Sequence, residues 1–306
     1  MNYGFDNGRF YIEMNSITRE YGNMRQETDY RMRDIASTSS KIMLSLSGGL
    51  DSQSMLHSCK EQGIPVECTF MYLPGYNDNE YENMNIVAKK YGVNPLVIDI
   101  DPMSIKDQLL EEAVREGIYV YSCLWKHFLT LLPTDVDLVQ MTHDPYVHRM
   151  GPEGNESMHY MMGRHMPEIH RDRAMKLVQR EGRYISIAET SEFLLSILDD
   201  DIFRTSIDAY TYYAGNGATK QDVDLLRFDR WDYYVKPLIY GKYWGDELLY
   251  FPKFVGFENV DFLLNGPKGS LFTQCMFVEY NDIVAKLKQF NQTYRFYSAP
   301  PLRDIL

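Results

Sequence analysis

Between residues 41 and 143 the chain alternates short apolar runs with longer stretches of mixed polarity. The runs at 42–46, 66–73, 96–100 and 137–142 have the length of strands buried on both faces. Between them, residues 50–62, 79–91, 104–116 and 121–132 have helical length and character. Gly63, Pro65 and Gly92 punctuate the pattern, and Gly92 sits where a C′ glycine belongs. Strands separated by helices predict βαβ units, right-handed crossovers and a parallel sheet, an α/β fold. Open sheets of this kind bind ligands beyond the carboxyl ends of their strands. Residues 47–52, 73–79, 99–101 and 143–146 are therefore expected on one rim.

The flanks are less regular. Residues 1–16 read as a hairpin, with turn chemistry at Phe5-Asp6-Asn7-Gly8-Arg9 and alternation at Phe10, Ile12 and Met14. A helix is expected within 17–38. Residues 144–167 carry Pro145, Gly151, Pro152, Gly154, Gly163 and Pro167 and read as a long loop. A mixed-charge helix is expected at 168–180. Beyond 184 the sequence suggests helices near 192–198 and 281–290, an irregular aromatic stretch at 210–257, and a polar tail. The expected organisation is an N-terminal hairpin and helix (1–40), a parallel-sheet α/β domain (41–183) and a helical, aromatic-rich C-terminal region (184–306).

The chemistry concentrates in KIMLSLSGGLDS, residues 41–52. An apolar strand runs into Ser47-Gly48-Gly49-Leu50-Asp51-Ser52, and a helix starts there. Adjacent glycines let backbone N–H groups approach a ligand closely. The helix amino end adds unpaired N–H groups and the positive end of its dipole. Ser47 and Ser52 add hydroxyls. Such a turn donates to an anion, and phosphate fits it. SGGLDS resembles the SGGxDS signature of the PP-loop ATP pyrophosphatases, the adenine nucleotide alpha hydrolase-like enzymes that include GMP, NAD and asparagine synthetases and tRNA lysidine synthetase. It is neither a GxxxxGK[ST] loop nor a GxGxxG fingerprint.

The resemblance covers the loop strongly and residues 41–143 in general pattern. It implies a Rossmann-like (HUP) domain that cleaves ATP to AMP and pyrophosphate. An acceptor would be adenylated, then attacked by a nitrogen nucleophile. By position, Ser45, Ser47, Gly48, Gly49, Leu50, Asp51 and Ser52 would line the phosphate site, and the backbone at Met71, Tyr72 and Leu73 would hold adenine. Asp51 would order the loop or help hold Mg²⁺, which neutralises charge on leaving pyrophosphate. Asp144, after the fourth strand, is the second metal or substrate candidate, or else a turn former before Pro145. Lys236 is the candidate distant lysine for the phosphates, and Lys242 lies in the same aromatic stretch. The implied acceptor is a small molecule or nucleobase, with ammonia free or supplied by a partner.

Composition prunes this picture. The 306 residues amount to about two domains, or one large α/β unit with an appendage. A net charge of −12 argues against bulk nucleic-acid binding. Acidic residues outnumber basic ones over 189–261, which disfavours a lysidine-synthetase role. Cys59, Cys68, Cys123 and Cys275 form no C-x-x-C, so neither a zinc cluster nor a disulfide framework is expected. That spacing also disfavours the zinc-bearing deazaguanine and many thiolating subfamilies. A phosphoadenylylsulfate reductase or sulfurtransferase remains one alternative, and a non-catalytic nucleotide binder the other. Asp99 and Asp101 read as helix caps or site residues, and Asp199-Asp200-Asp201 as a solvated helix end. His143, His148, His159, His165 and His170 cluster beside a locally basic stretch at 163–183, as a flap over nucleotide or, less simply, metal ligands. No secretory leader and no apolar stretch of membrane-spanning length is seen, so a soluble, cytoplasmic protein is expected.

Overall fold

The computed structural model describes residues 2–6, 9–116, 120–141, 147–150, 157–162, 178, 180–206, 235–251 and 276–297. Its centre is a five-stranded parallel sheet. The strands are β3 (Ile42–Ser45), β4 (Glu67–Tyr72), β5 (Leu96–Asp99), β6 (Asp137–Gln140) and β9 (Tyr184–Ser186), in the order β5-β4-β3-β6-β9. The chain starts in the middle at β3, runs outward through β4 and β5, then returns to the other flank of β3 as β6. That reversal opens a crevice between the carboxyl ends of β3 and β6, where open α/β sheets take ligands.

Burial explains the sheet. Met43, Leu44, Leu138 and Val139 are at most 1 % exposed, as strands covered on both faces must be. The covering helices are α1 (Met24–Thr38), α2 (Leu50–Glu61), α3 (Asp78–Tyr91), α4 (Lys106–Glu116) and α5 (Val120–Thr130). A reciprocal capping box of Asn23 and Gln26 starts α1. The strands β3–β6 and the helices fall within a few residues of the predicted ranges, whereas β9, the fifth strand, was not predicted. The result is an α/β, parallel-sheet, Rossmann-like architecture with a helical C-terminal region.

At the amino-end rim, Asp137 joins three elements. Its carboxylate accepts from the Arg183 backbone N–H at 2.7 Å, the Arg183 guanidinium at 2.6 and 3.1 Å, and the Ser39 hydroxyl at 2.7 Å. Burial pushes its pKa up, but these donors outweigh it and hold the carboxyl below its usual range. A depressed folded pKa means that this stability is present above about pH 4, the unfolded value, and lost as pH falls through the folded value. Arg183→Leu should therefore lower stability by about 1–3 kcal/mol at pH 7. The gap to wild type should narrow at pH 3, read from urea midpoints at both pH values.

The flanks depart from the sequence reading in four places. Residues 144–167 are not one long loop. They contain β7 (Val147–Met150) and β8 (Ser157–Met162), an antiparallel pair extended by β10 (Met276–Glu279). The tail is not merely polar. Its β11 (Thr293–Tyr297) pairs with β2 (Arg9–Asn15), whose other partner is β1 (Asn2–Asp6). Phe296 points inward at 5 % exposure, while Arg295 crosses outward to Glu13 at 2.7 Å. The aromatic stretch contains a helix, α7 (Lys236–Trp244).

The acid triplet is a solvated helix end only at exposed Asp201. Asp200 is 6 % exposed and accepts from the Ile202 N–H, from Lys242 at 3.0 Å and from the Tyr243 hydroxyl. Asp199 binds Tyr21 and pairs with Lys288 at 2.8 Å, and Asp201 meets Lys242. The triplet follows α6 (Ser191–Leu198), which packs with α8 (Tyr280–Leu287). Residues beyond 184 thus supply both the last strand of the parallel sheet and the third strand of the N-terminal one. Most of the predicted 168–180 helix lies outside the described residues. Among those described, no helix is long and apolar enough to cross a membrane.

Candidate functional site

β3 ends at half-buried Ser45, and Leu46 adds a last rung through its N–H to the Thr69 carbonyl at 2.9 Å. The chain then turns through exposed Ser47, buried Gly48 and exposed Gly49 into α2. Gly48 has φ +79° and lies against the backbone of Asn83 and Met84 in α3, where a Cβ would come within 2.7 Å of both. Only glycine permits that turn at that closeness. Gly49 is the N-cap of α2 and carries no side-chain cap, so the helix amino end is open to a ligand. Ser47 Oγ lies 3.3 Å from Ser52 Oγ and accepts the Gly49 N–H at 3.3 Å. Ser52 donates to the Gly49 carbonyl at 3.0 Å. The turn is a shaped set of donors at the mouth of the crevice.

α7 lies against this turn. Val235 precedes it and Pro237 occupies its first turn, where a missing N–H costs nothing. Lys236 and Tyr240, four residues apart, share one helical face. Lys236 Nζ is 2.6 Å from Asp51 Oδ2, and the Tyr240 hydroxyl donates to Asp51 Oδ1 at 2.6 Å. Tyr240 also lies 3.1 Å from Met141 Sδ, just past the end of β6, and stacks on Trp244. Burial first, then the Asp51 charge, pushes the Tyr240 hydroxyl well above its ordinary pKa, so it stays a proton donor.

The segment after α7 is pinned on the other side. Gln53 is fully buried; its amide nitrogen donates to the carbonyls of Gly48 and Leu249, each at 2.7 Å, and its oxygen accepts the Leu249 N–H at 2.8 Å. Glu247 meets Arg25 at 2.6 Å and His57 at 3.2 Å, and its carbonyl accepts from Tyr91 and Lys90. His57, Glu61 and Glu247 are a metal-like trio among the described residues. The Arg25 guanidinium already supplies their positive charge, at 2.9 Å from Glu61 and 3.3 Å from His57 Nε2. Residues 235–251 form a strap held at both ends over the loop.

The base expectation meets a specific obstacle. Met71 and Leu73 are buried at the end of β4. The Met71 carbonyl accepts from Asn77 Nδ2 at 3.0 Å, and the Leu73 N–H donates to Asn77 Oδ1 at 2.7 Å. The Tyr72 carbonyl accepts the Ile100 N–H at 2.9 Å. A purine edge at this backbone must share with or displace the Asn77 amide, itself 2 % exposed. The Tyr72 ring stacks on Tyr81 at 4.4 Å, and its hydroxyl donates to Asp78 at 2.6 Å, which pushes it up to about 12.

The structure therefore brings together Ser45, Ser47, Gly48, Gly49, Leu50, Asp51, Ser52 and Lys236, with Met71, Tyr72 and Leu73 at the next strand end. Lys242 is held elsewhere, by Asp200 and Asp201. Asp101 caps the following turn through the Met103 N–H at 2.9 Å, and Asp99 is exposed. Asp144 lies outside the described residues, as do His143, His165, His170 and Cys275. His148 and His159 are backbone partners across β7 and β8. Tyr240, Gln53 and Asn77 escaped the sequence reading. The i, i+4 spacing of Lys236 and Tyr240 was the available signal for the first, and adjacency to SGGLDS for the second.

Mg²⁺ does not fit Asp51 as it stands, because the Lys236 ammonium at 2.6 Å already balances its charge and the Tyr240 hydroxyl takes up a lone pair of the other oxygen. Burial first raises the thiol pKa of Cys59, Cys68 and Cys123 to about 12, which makes none of them a ready nucleophile.

No protein-family profile and no curated protein sequence matches the chain. Among solved structures, it is similar to NMN synthetase from Francisella tularensis at 10% sequence identity and a TM-score of 0.34. That similarity covers 76% of this chain and 100% of that one.

Proposed function

We propose that this chain is an ATP-dependent enzyme of the PP-loop kind. It seats the β- and γ-phosphates of ATP in the 47–52 turn, directs an acceptor oxygen to the α-phosphorus, and releases pyrophosphate. A nitrogen nucleophile then displaces AMP from the adenylated acceptor, which is a small molecule or nucleobase. The observation that carries this reading is the convergence of Lys236 on the Ser47–Ser52 turn, from a segment 185 residues away. A Ser/Gly turn alone is a common feature, whereas a lysine delivered to it by a doubly anchored strap is a built cation at an anion cradle.

The chemistry needs positioning and charge, not a protein nucleophile. The Ser47 hydroxyl and the backbone N–H groups of the turn hold the leaving phosphates in line. Lys236 supplies a positive charge where the β-phosphate oxygens gain negative charge as the bond to the α-phosphorus breaks. Tyr240 and Gln53 fix the helix and the strap so that these donors need no rearrangement at that moment. The buried, high-pKa thiols give the sulfur-transfer alternative no support among the described cysteines. No step requires a membrane, and the acidic surface suits a small acceptor better than a polyanion.

The test supplies ATP and ammonium with a panel of carboxylates, amides and nucleobases. The productive acceptor should release pyrophosphate rather than orthophosphate. Ser47→Ala and Asp51→Ala should each lower that release by roughly a hundredfold or more. Orthophosphate as the product, or unchanged rates in both variants, would contradict the proposal.

A further inference from the structure

Asp51 is the one described carboxylate in the phosphate turn, and so the natural seat for a divalent cation. Yet Lys236 Nζ lies 2.6 Å from one of its oxygens and the Tyr240 hydroxyl 2.6 Å from the other. Both partners come from α7, and α7 is itself fixed: Tyr240 is 2 % exposed and stacked on Trp244, and the strap beyond is pinned by Gln53 and Glu247. The ammonium is thus part of a packed helix, 9 % exposed at Lys236, rather than a surface side chain that swings away. A cation approaching Asp51 meets a fixed positive charge and loses most of the carboxylate's attraction.

We infer that the Lys236–Asp51 pair is a charge lock that keeps a divalent cation out of the nucleotide-free loop, so that metal enters only together with the phosphate chain. An incoming phosphate offers Lys236 a competing anion within reach of the same turn. With the ammonium shared between Asp51 and that phosphate, Asp51 is less fully neutralised and would attract a cation that the phosphate chain brings. The binding order is then built into the fold: chelated nucleotide first, bare metal never. Tyr240 is a positioning residue in this scheme, holding the carboxylate while its ionic partner changes. The inference rests on the ATP reading for the identity of the phosphate ligand, but not for the exclusion of metal.

The lock predicts a gain of function on removing the lysine. Mn²⁺, followed by electron paramagnetic resonance, stands in for Mg²⁺ and is titrated into nucleotide-free protein. Lys236→Met and Lys236→Gln should each bind Mn²⁺ at least roughly tenfold more tightly than wild type. Adding Asp51→Asn should abolish the gain. Lys236→Gln keeps a hydrogen-bond donor beside Asp51 and guards against loss of structure, and folding of every variant is verified by circular dichroism. Equal Mn²⁺ affinity in wild type and the folded lysine variants would overturn the inference, as would a gain that survives Asp51→Asn. In wild type, a non-hydrolysable ATP analogue should recruit Mn²⁺ to the site. If the analogue fails to bind while the lysine variants still gain Mn²⁺, the lock stands and the ATP reading falls.

Discussion

Lys236→Met is expected to lower acceptor-dependent pyrophosphate release by roughly 10²–10³-fold, the usual cost of removing one preorganised charge donor from a developing anion. The loss should fall mainly on kcat, because the ammonium is worth most when the α–β bond is breaking. Methionine keeps the length and the apolar stem, so α7 retains its packing through Ile239, Tyr240 and Trp244. Lys242 is the internal control. It is six residues along the same helix, but its ammonium serves Asp200 and Asp201 on the other side. Lys242→Met should leave kcat of the folded enzyme unchanged while lowering stability. Equal losses of kcat in the two variants would mean that the lysine's place at the turn has no chemical consequence.

Gly48→Ala is expected to be the most damaging single-methyl change in the described structure around the loop. Two separate costs add there. Alanine at φ +79° adopts the left-handed region, and its Cβ lands 2.7 Å from backbone atoms of Asn83 and Met84, which cannot swing aside as a side-chain tip would. Together these should cost about 2–4 kcal/mol and displace the turn from α3. Gly75 isolates the first cost: its φ is +80° with nothing within 4 Å of a built Cβ. Gly75→Ala should lose only about 1 kcal/mol. Urea unfolding midpoints for the two variants measure the difference, and equal losses would show that the close approach to α3 carries no weight.

Four of the parallel sheet's five strands, all but β9, were legible because their signal is local. Each of β3, β4 and β6 is an apolar run bounded by turn residues, and each crossover helix lies beside it in sequence. The 47–52 turn was legible for the same reason, since strand, glycines and helix are contiguous. In the other two sheets the β1–β2 hairpin was legible for the same reason, whereas β7, β8, β10 and β11 were not, and β10 and β11 each depend on a distant partner. β11 shows one buried residue, Phe296, and gains its meaning only beside β2. β7 and β8 lie among prolines and glycines that suggested a loop, and β8 is completed by β10 from far along the chain.

The site divides along the same line. Residues 47–52 could be read as an anion cradle and Lys236 as its distant lysine, whereas Tyr240 and Gln53, which hold the cradle and the strap, could not. Asp51 was read as ordering the loop or helping to hold Mg²⁺, and α7 brings Lys236 and Tyr240 onto its two oxygens. The backbone at Met71 and Leu73 was read as an adenine contact, and the Asn77 amide bonds to both. The acid triplet looked solvated because no sequence pattern announces Lys242, Lys288 and Tyr21 as its neighbours. In each case a tertiary contact decides what the side chain is for.

Calorimetric titration of ATP, pyrophosphate and AMP into the protein needs no knowledge of the acceptor. ATP and pyrophosphate should bind and compete for one site, AMP should bind far more weakly, and Ser47→Ala should weaken the first two alike. AMP binding as tightly as ATP, with no binding of pyrophosphate, would contradict the proposed function.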